Sequence, residues 1–134
     1  MLTVKIFSFS YKKSGIPKDT SANGGGFVFD CRFIYNPGRE EKLMALTGAD
    51  EQVAGFMDRD NIMQEFLKDA FAICDKAVDN YVKRDFHDLM ISFGCTGGQH
   101  RSVYSAIKLK NHLENKYKDK IIVILNHKEF PELN

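Results

Sequence analysis

The sequence predicts an α/β fold: a single domain with a mixed or mostly parallel sheet, helices packed on it, and an anion-binding strand–loop–helix after the central strand. Three observations carry this. The chain has 134 residues, 43% of them hydrophobic and 28% charged, which suits one domain with one core. Its second half alternates helix and strand patterns, and strand–helix–strand at these lengths is a βαβ unit, which makes adjacent strands parallel. Between the third strand and the helix after it lies Phe93-Gly-Cys-Thr-Gly-Gly-Gln-His-Arg-Ser102, rich in glycine and in polar side chains.

The elements follow in order. Leu2 to Phe9 alternates apolar and polar residues, as a half-buried strand does. Lys12 to Gly26 contains Gly15, Pro17, Ser21, Asn23 and three consecutive glycines, and reads as a loop with a mobile tip at Asn23–Gly26. Phe27 to Phe33 is the second strand, and Asn36, Pro37 and Gly38 turn the chain after it. Short helical turns and loop are expected from Arg39 to Gly55. From Asp58 to Lys83, Ile62, Met63, Phe66, Leu67, Ala70, Phe71, Cys74, Ala77, Val78 and Tyr81 recur at steps of three and four, the stripe of an amphipathic helix. Asp58 or Asp60 caps its start. Leu89 to Phe93 is nearly all apolar, as expected of a central strand covered on both faces. Ser102 to Tyr117 is a second helix, with Val103, Tyr104, Ile107, Leu113 and Tyr117 facing inward, and Ile121 to Leu125 is the last strand.

Bulk properties exclude several function classes. A formal net charge of +1 gives no large field for nucleic acid, so RNA binding needs a local patch. The opening MLTVKIFSFSYKK lacks the layout of a signal peptide. No apolar run approaches the roughly 18 residues that span a membrane. Cys31, Cys74 and Cys95 are odd in number and widely spaced, which fits neither a disulfide framework nor a zinc knuckle and places the chain in a reducing cytoplasm. His87, His100, His112 and His127 show no clustered ligand spacing, so neither a metal nor another cofactor is expected.

The loop after the third strand has the chemistry of an anion cradle. Gly97 and Gly98 allow close backbone approach, and the following helix N-terminus adds partial positive charge. Thr96 and His100 are candidate donors, Arg101 offers a fork matched to two phosphate oxygens, and Ser102 caps the helix or donates to the ligand. The competing reading is a plain glycine turn with a capping serine and an arginine on a surface ion pair. Cys95 and Arg101 also have five residues between them, with Ser102 following, the spacing of phosphatase loops in which a thiolate attacks phosphate. Gly94 stands where those phosphatases carry histidine, and Asp50, Asp58 and Asp60 are general-acid candidates only by default. The favoured role for Cys95 is therefore packing at a strand end.

Gly94 to Tyr104 resembles the glycine-rich loop of the RapZ C-terminal domain family, RNase adapter proteins also known as nucleotide-binding proteins. Other pieces fit in order: Ser8 and Phe9 with Gly15 to Pro17; Phe29, Asp30, Arg32 and Phe33 followed by Asn36 and Pro37; Thr47, Gly48 and Asp50; and Val53, Phe56, Asp58 and Arg59. Full-length members carry an N-terminal P-loop domain. This chain has no G-x-x-x-x-G-K-[ST], so it resembles the C-terminal domain alone. The resemblance implies binding of glucosamine-6-phosphate by Thr96, Gly97, His100 and Arg101, with Asp30, Arg32 and Asn36 supporting the pocket. An ion pair of Arg32 with Asp30 or Asp58 is the alternative for that arginine. The resemblance also implies small-RNA recognition and a homo-oligomer. The chain departs from well-known members at Gly38, where they have a histidine near the sugar, and over Asn126–Asn134, where they have a tail dense in Arg and Lys.

The expected function is a sensor or regulatory domain for a phosphorylated small molecule. An RNA-binding adapter is the second reading and a cysteine phosphatase the third.

Overall fold

The computed structural model describes residues 1–22 and 25–134. The expected loop tip, and any closure of Asn23–Gly26 over a ligand, falls largely on Asn23 and Gly24 and lies outside the described residues. Among the described residues the strands are β1 (Leu2–Ser10), β2 (Gly26–Asp30), β3 (Asp88–Cys95) and β4 (Ile121–His127). The α-helices are α1 (Glu51–Asp58), α2 (Asn61–Lys83) and α3 (Arg101–Tyr117), with short 3-10 turns at Pro37–Arg39, Glu41–Leu43, Lys118–Lys120 and Pro131–Leu133.

All strand pairings are parallel, in the order β2-β3-β1-β4. The unit β3-α3-β4 therefore does not join neighbours, because β1 lies between its two strands. Burial explains the insertion. In β1, Val4, Ile6, Ser8, Phe9 and Ser10 are fully buried, a demand only a strand with partners on both sides meets. The outer strands tolerate exposure at Val28, Ile122 and Ile124.

One face of the sheet presents Val4, Ile6, Leu89, Ile91 and Phe93, aligned by Val4 beside Leu89 and Ile6 beside Ile91. Met63, Leu67, Ala70, Cys74 and Val78 of α2 and Ala106, Leu109 and Leu113 of α3 complete this core. Each large apolar side chain so buried contributes about 1.5–3 kcal/mol. Ile62, expected in the α2 stripe, is instead half exposed, because it sits one position off the buried Met63–Leu67–Ala70 line.

Strand and helix ends shift from expectation, and three of the differences have a local reason. β2 stops at Asp30 because its carboxylate accepts the Arg32 backbone N–H at 2.9 Å and turns the chain, leaving Phe33 exposed. α2 starts at Asn61, where Asp60 accepts the Met63 N–H at 2.9 Å, and Asp58 instead ends α1. α1 forms where only turns were expected, since Val53 and Met57, one helical turn apart, are both buried.

Candidate anion-binding site

The loop Thr96–His100 leaves the C-terminal end of β3 beside the end of β1, the edge where ligands of open parallel sheets bind. It is seated firmly. Ser10 Oγ donates to the Thr96 carbonyl at 2.6 Å. Gly98 has φ +67°, and a Cβ there would lie 2.6 Å from Glu129 Cγ and 2.9 Å from Ser10 N. Glu129 in turn accepts the Ser10 N–H at 2.8 Å and the Ser14 hydroxyl at 2.7 Å. Gln99 Nε2 donates to the Met44 and Leu46 carbonyls at 2.8 and 2.7 Å, which holds that segment over the loop.

A pocket of about 210 Å³ opens here. Cys95, Gly97, Gln99, His100 and Arg101 line it from the loop, and Asn36, Gly38 and Met44 line it from the segment after β2. Arg101 is 4% exposed, and its Nη1 donates to the Arg32 and Ile34 carbonyls at 2.9 and 2.8 Å. Its Nε is buried with no partner among the described residues. A buried unpaired donor on a charged group is costly, and a hydrogen-bond acceptor at this position would offset that cost.

His100 is also buried, and its Nε2 donates to the Leu43 carbonyl at 2.9 Å. Burial lowers its pKa, the carbonyl bond opposing, so the ring is neutral. The sequence made His100 a candidate donor to the ligand. In the structure Nε2 is bonded to the Leu43 carbonyl.

Of the predicted ligand residues, Gly97, His100, Arg101 and Asn36 therefore meet around one pocket, while Thr96 is half-buried beside them. Gly98 packs on Glu129, and Ser102 is buried and accepts the Cys95 thiol at 3.1 Å. Asp30 and Arg32 lie outside the lining. They form an ion pair at 2.6 Å, Arg32 stacks 3.9 Å from the centre of the Tyr11 ring, and its guanidinium holds the Asp30 carboxyl below the usual range. Asp58 accepts the Tyr104 hydroxyl at 2.6 Å instead. Met44 and Gln99 were not foreseen. Gln99 stood inside the loop motif, whereas nothing in the sequence joins Met44 to it across 55 residues.

None of the three candidate general acids lines the pocket. Asp50 accepts the Thr47 N–H, Asp58 binds Tyr104, and Asp60 caps α2. The three cysteines are buried and free, and burial pushes the Cys74 thiol up to about 12. Among the described residues no three His, Cys, Asp or Glu side chains are placed to hold a metal ion, and no helix is long and apolar enough to cross a membrane.

The family described as the RapZ C-terminal domain matches residues 2–131. The chain is 34% identical over 131 residues to a nucleotide-binding protein of Thermotoga sp. (strain RQ2), covering 98% of this chain and 43% of that protein. It is 38% identical to nucleotide-binding proteins of Endomicrobium trichonymphae and Fusobacterium nucleatum, in each case over 96% of this chain and 42% of the relative. It thus spans about two fifths of the length of these relatives. With a full-length family match on the fold and loop described above, the chain belongs to the RapZ C-terminal domain family.

Proposed function

We propose that this domain binds a phosphorylated small molecule, an amino-sugar phosphate such as glucosamine-6-phosphate, in the pocket between the Thr96–His100 loop and the Asn36–Gly38 turn, and acts as a sensor rather than an enzyme. The observation that carries this is Arg101 Nε, a buried donor without a partner on a guanidinium already fixed by two carbonyls. A phosphate oxygen supplies the missing acceptor, and the first N–H groups of α3 and the backbone of Gly97 supply further donors.

The relatives' name, nucleotide-binding protein, points to the same phosphate chemistry in a larger ligand. The pocket favours the smaller one: about 210 Å³ is below the roughly 300–1,000 Å³ usual for drug-sized ligands. RNA binding has less support. Lys108, Lys110 and Lys116 of α3 lie 3.4, 2.7 and 2.9 Å from carboxylate oxygens, so this face offers few free cations to a phosphate backbone.

Thermal unfolding with glucosamine-6-phosphate, other sugar phosphates and nucleoside monophosphates tests the proposal. A ligand at about 100 times its Kd stabilises the fold by about 2.7 kcal/mol. Stabilisation by a sugar phosphate, lost in Arg101→Ala, is expected. No shift with any phosphorylated compound overturns the reading.

A further inference from the structure

The two flanks of α2 differ in what covers them. One flank carries Phe71 and Asp75, and both meet His112 of α3. The opposite flank carries Ile62, Phe66, Asp69 and Ile73, at steps of four, three and four, so they line one side of the helix. That side is open: Ile62 and Ile73 are 50% and 43% exposed. Beside it β2 ends the sheet, and Phe29 of β2 and Phe33 after it form a groove of about 360 Å³ with α2. The Phe33 and Phe29 rings meet Phe66 edge-on, with centroids 5.6 and 6.0 Å apart. Phe33 is itself 65% exposed. The charged residues of the lining are Glu65 and Asp69, and neither carboxylate meets a cation among the described residues. The groove also borders a free strand edge. The Cys31 N–H donates to the Gly94 carbonyl at 2.7 Å, and alternate residues of a strand face the same neighbour, so Phe27 and Phe29 also bond toward β3. Val28 between them turns its N–H and C=O outward. The strand, Gly-Phe-Val-Phe-Asp, has no lysine or proline to blunt that edge.

We infer that the β2 edge and the groove behind it are a docking site for an extended, basic segment of another protein, which pairs with Val28 and places alternate apolar side chains between Phe33 and α2. Main-chain bonds hold such a segment, and the groove selects its side chains. Charge decides among the occupants. Two carboxylates without a cation attract Lys or Arg, and they repel nucleic acid, an anionic lipid surface and the same groove of a second copy. The lining shares no residue with the pocket beside Arg101, so the inference does not depend on the phosphate reading.

A displayed library of random heptapeptides, selected on the wild type, tests this. Recovered peptides should alternate apolar residues and be enriched in Lys and Arg. A synthetic peptide of recovered sequence should bind the double variant Glu65→Lys, Asp69→Lys about tenfold more weakly than the wild type. Val28→Pro should abolish binding, because proline there removes an outward N–H and leaves the bonds to β3 in place. In the wild type, hydrogen exchange at the Val28 N–H should slow when the peptide is bound. Melting checks that each variant folds, and the wild-type exchange decides independently of them. Recovery of no peptide, recovery of peptides without basic residues, or equal affinity for the double variant overturns the inference. So does binding with no added protection at Val28, the result for a helix laid in the groove. A wild-type dimer that Val28→Pro dissociates overturns it as well, since the edge would then join two copies of this chain.

Discussion

At the C-terminal end of α3, His112 and Lys116 both reach Asp75 of α2 at 2.9 Å, and the Tyr117 hydroxyl donates to Asp79 at 2.7 Å. The His112 ring also stacks on Phe71, with centroids 4.6 Å apart. At the N-terminal end, His100 and Arg101 are more deeply buried, yet their bonds go to backbone carbonyls and one donor, Arg101 Nε, has none among the described residues. Both ends hold a histidine and a cation. One end satisfies its cation with carboxylates and serves as a clamp between helices. At the other, among the described residues, no carboxylate pairs with Arg101, and the proposed anion would take that place. The same helix is fastened at one end and, under the proposed function, receptive at the other.

Arg101→Ala strikes this contrast hardest. It removes the proposed phosphate partner and leaves the Arg32 and Ile34 carbonyls without their donor. Phosphosugar affinity should fall about a hundredfold, and the unliganded fold should lose about 1–3 kcal/mol. Calorimetry and urea unfolding separate the two effects. Normal binding by a folded Arg101→Ala would show that the unpaired Nε does not mark the site.

Asp75→Ala is the matching cut at the other end. It unties His112 and Lys116 from α2, and the melting temperature should fall by roughly 4 °C. Phosphosugar affinity should not change, because nothing from the clamp lines the pocket. A binding loss as large as that of Arg101→Ala would mean that the ends of α3 are coupled.

The clamp was half visible in the sequence and the pocket less so. Periodicity placed Leu113 and Tyr117 inward, and three-residue and four-residue steps need only local sequence. Gly97 and Gly98 announced a tight loop, and the run before them announced a buried strand. What local pattern does not carry is pairing across long separations. The insertion of β1 between β3 and β4 depends on two-sided burial, which alternation alone does not reveal. The grip of Arg101 on carbonyls at positions 32 and 34 depends on where β2 ends, and that was set by the Asp30 side chain. Asp30 and Arg32 came from the family resemblance as pocket supports, with an Arg32–Asp30 ion pair as the alternative; the structure shows that ion pair, and neither residue lines the pocket.

Acid should weaken the fold through two buried histidines, His100 before α3 and His127 at the end of β4. Burial lowers the pKa of both below the ordinary value of 6.5, and the His127 ring meets Ser8 Oγ at 2.6 Å. Below about pH 6.5 the unfolded chain takes up protons that these rings refuse in the fold. Stability is therefore full above that pH and declines as pH falls toward the folded values. Melting temperature measured from pH 7.5 to 5 should drop, and less steeply in His127→Asn. A flat profile would mean that these rings charge without cost.

Cys95→Ser should have the smallest effect and sharpens what the receptive end is for. The thiol lines the pocket but is 2% exposed, and it donates to Ser102 Oγ at 3.1 Å. A serine hydroxyl keeps a donor there, and the lost sulfur volume should cost about 1 kcal/mol. Phosphosugar affinity should stay within about twofold, since the charge-matched contact is that of Arg101. A nucleophile would need its thiol free for in-line attack and an acid to protonate the leaving oxygen. The three aspartates suggested for that task are engaged elsewhere, and His100 Nε2 is bonded to the Leu43 carbonyl. Hydrolysis of p-nitrophenyl phosphate by the wild type, abolished in Cys95→Ser, would turn the receptive end from a sensor into a catalytic site. Binding without turnover in both proteins keeps it a sensor, with the cysteine as part of its wall.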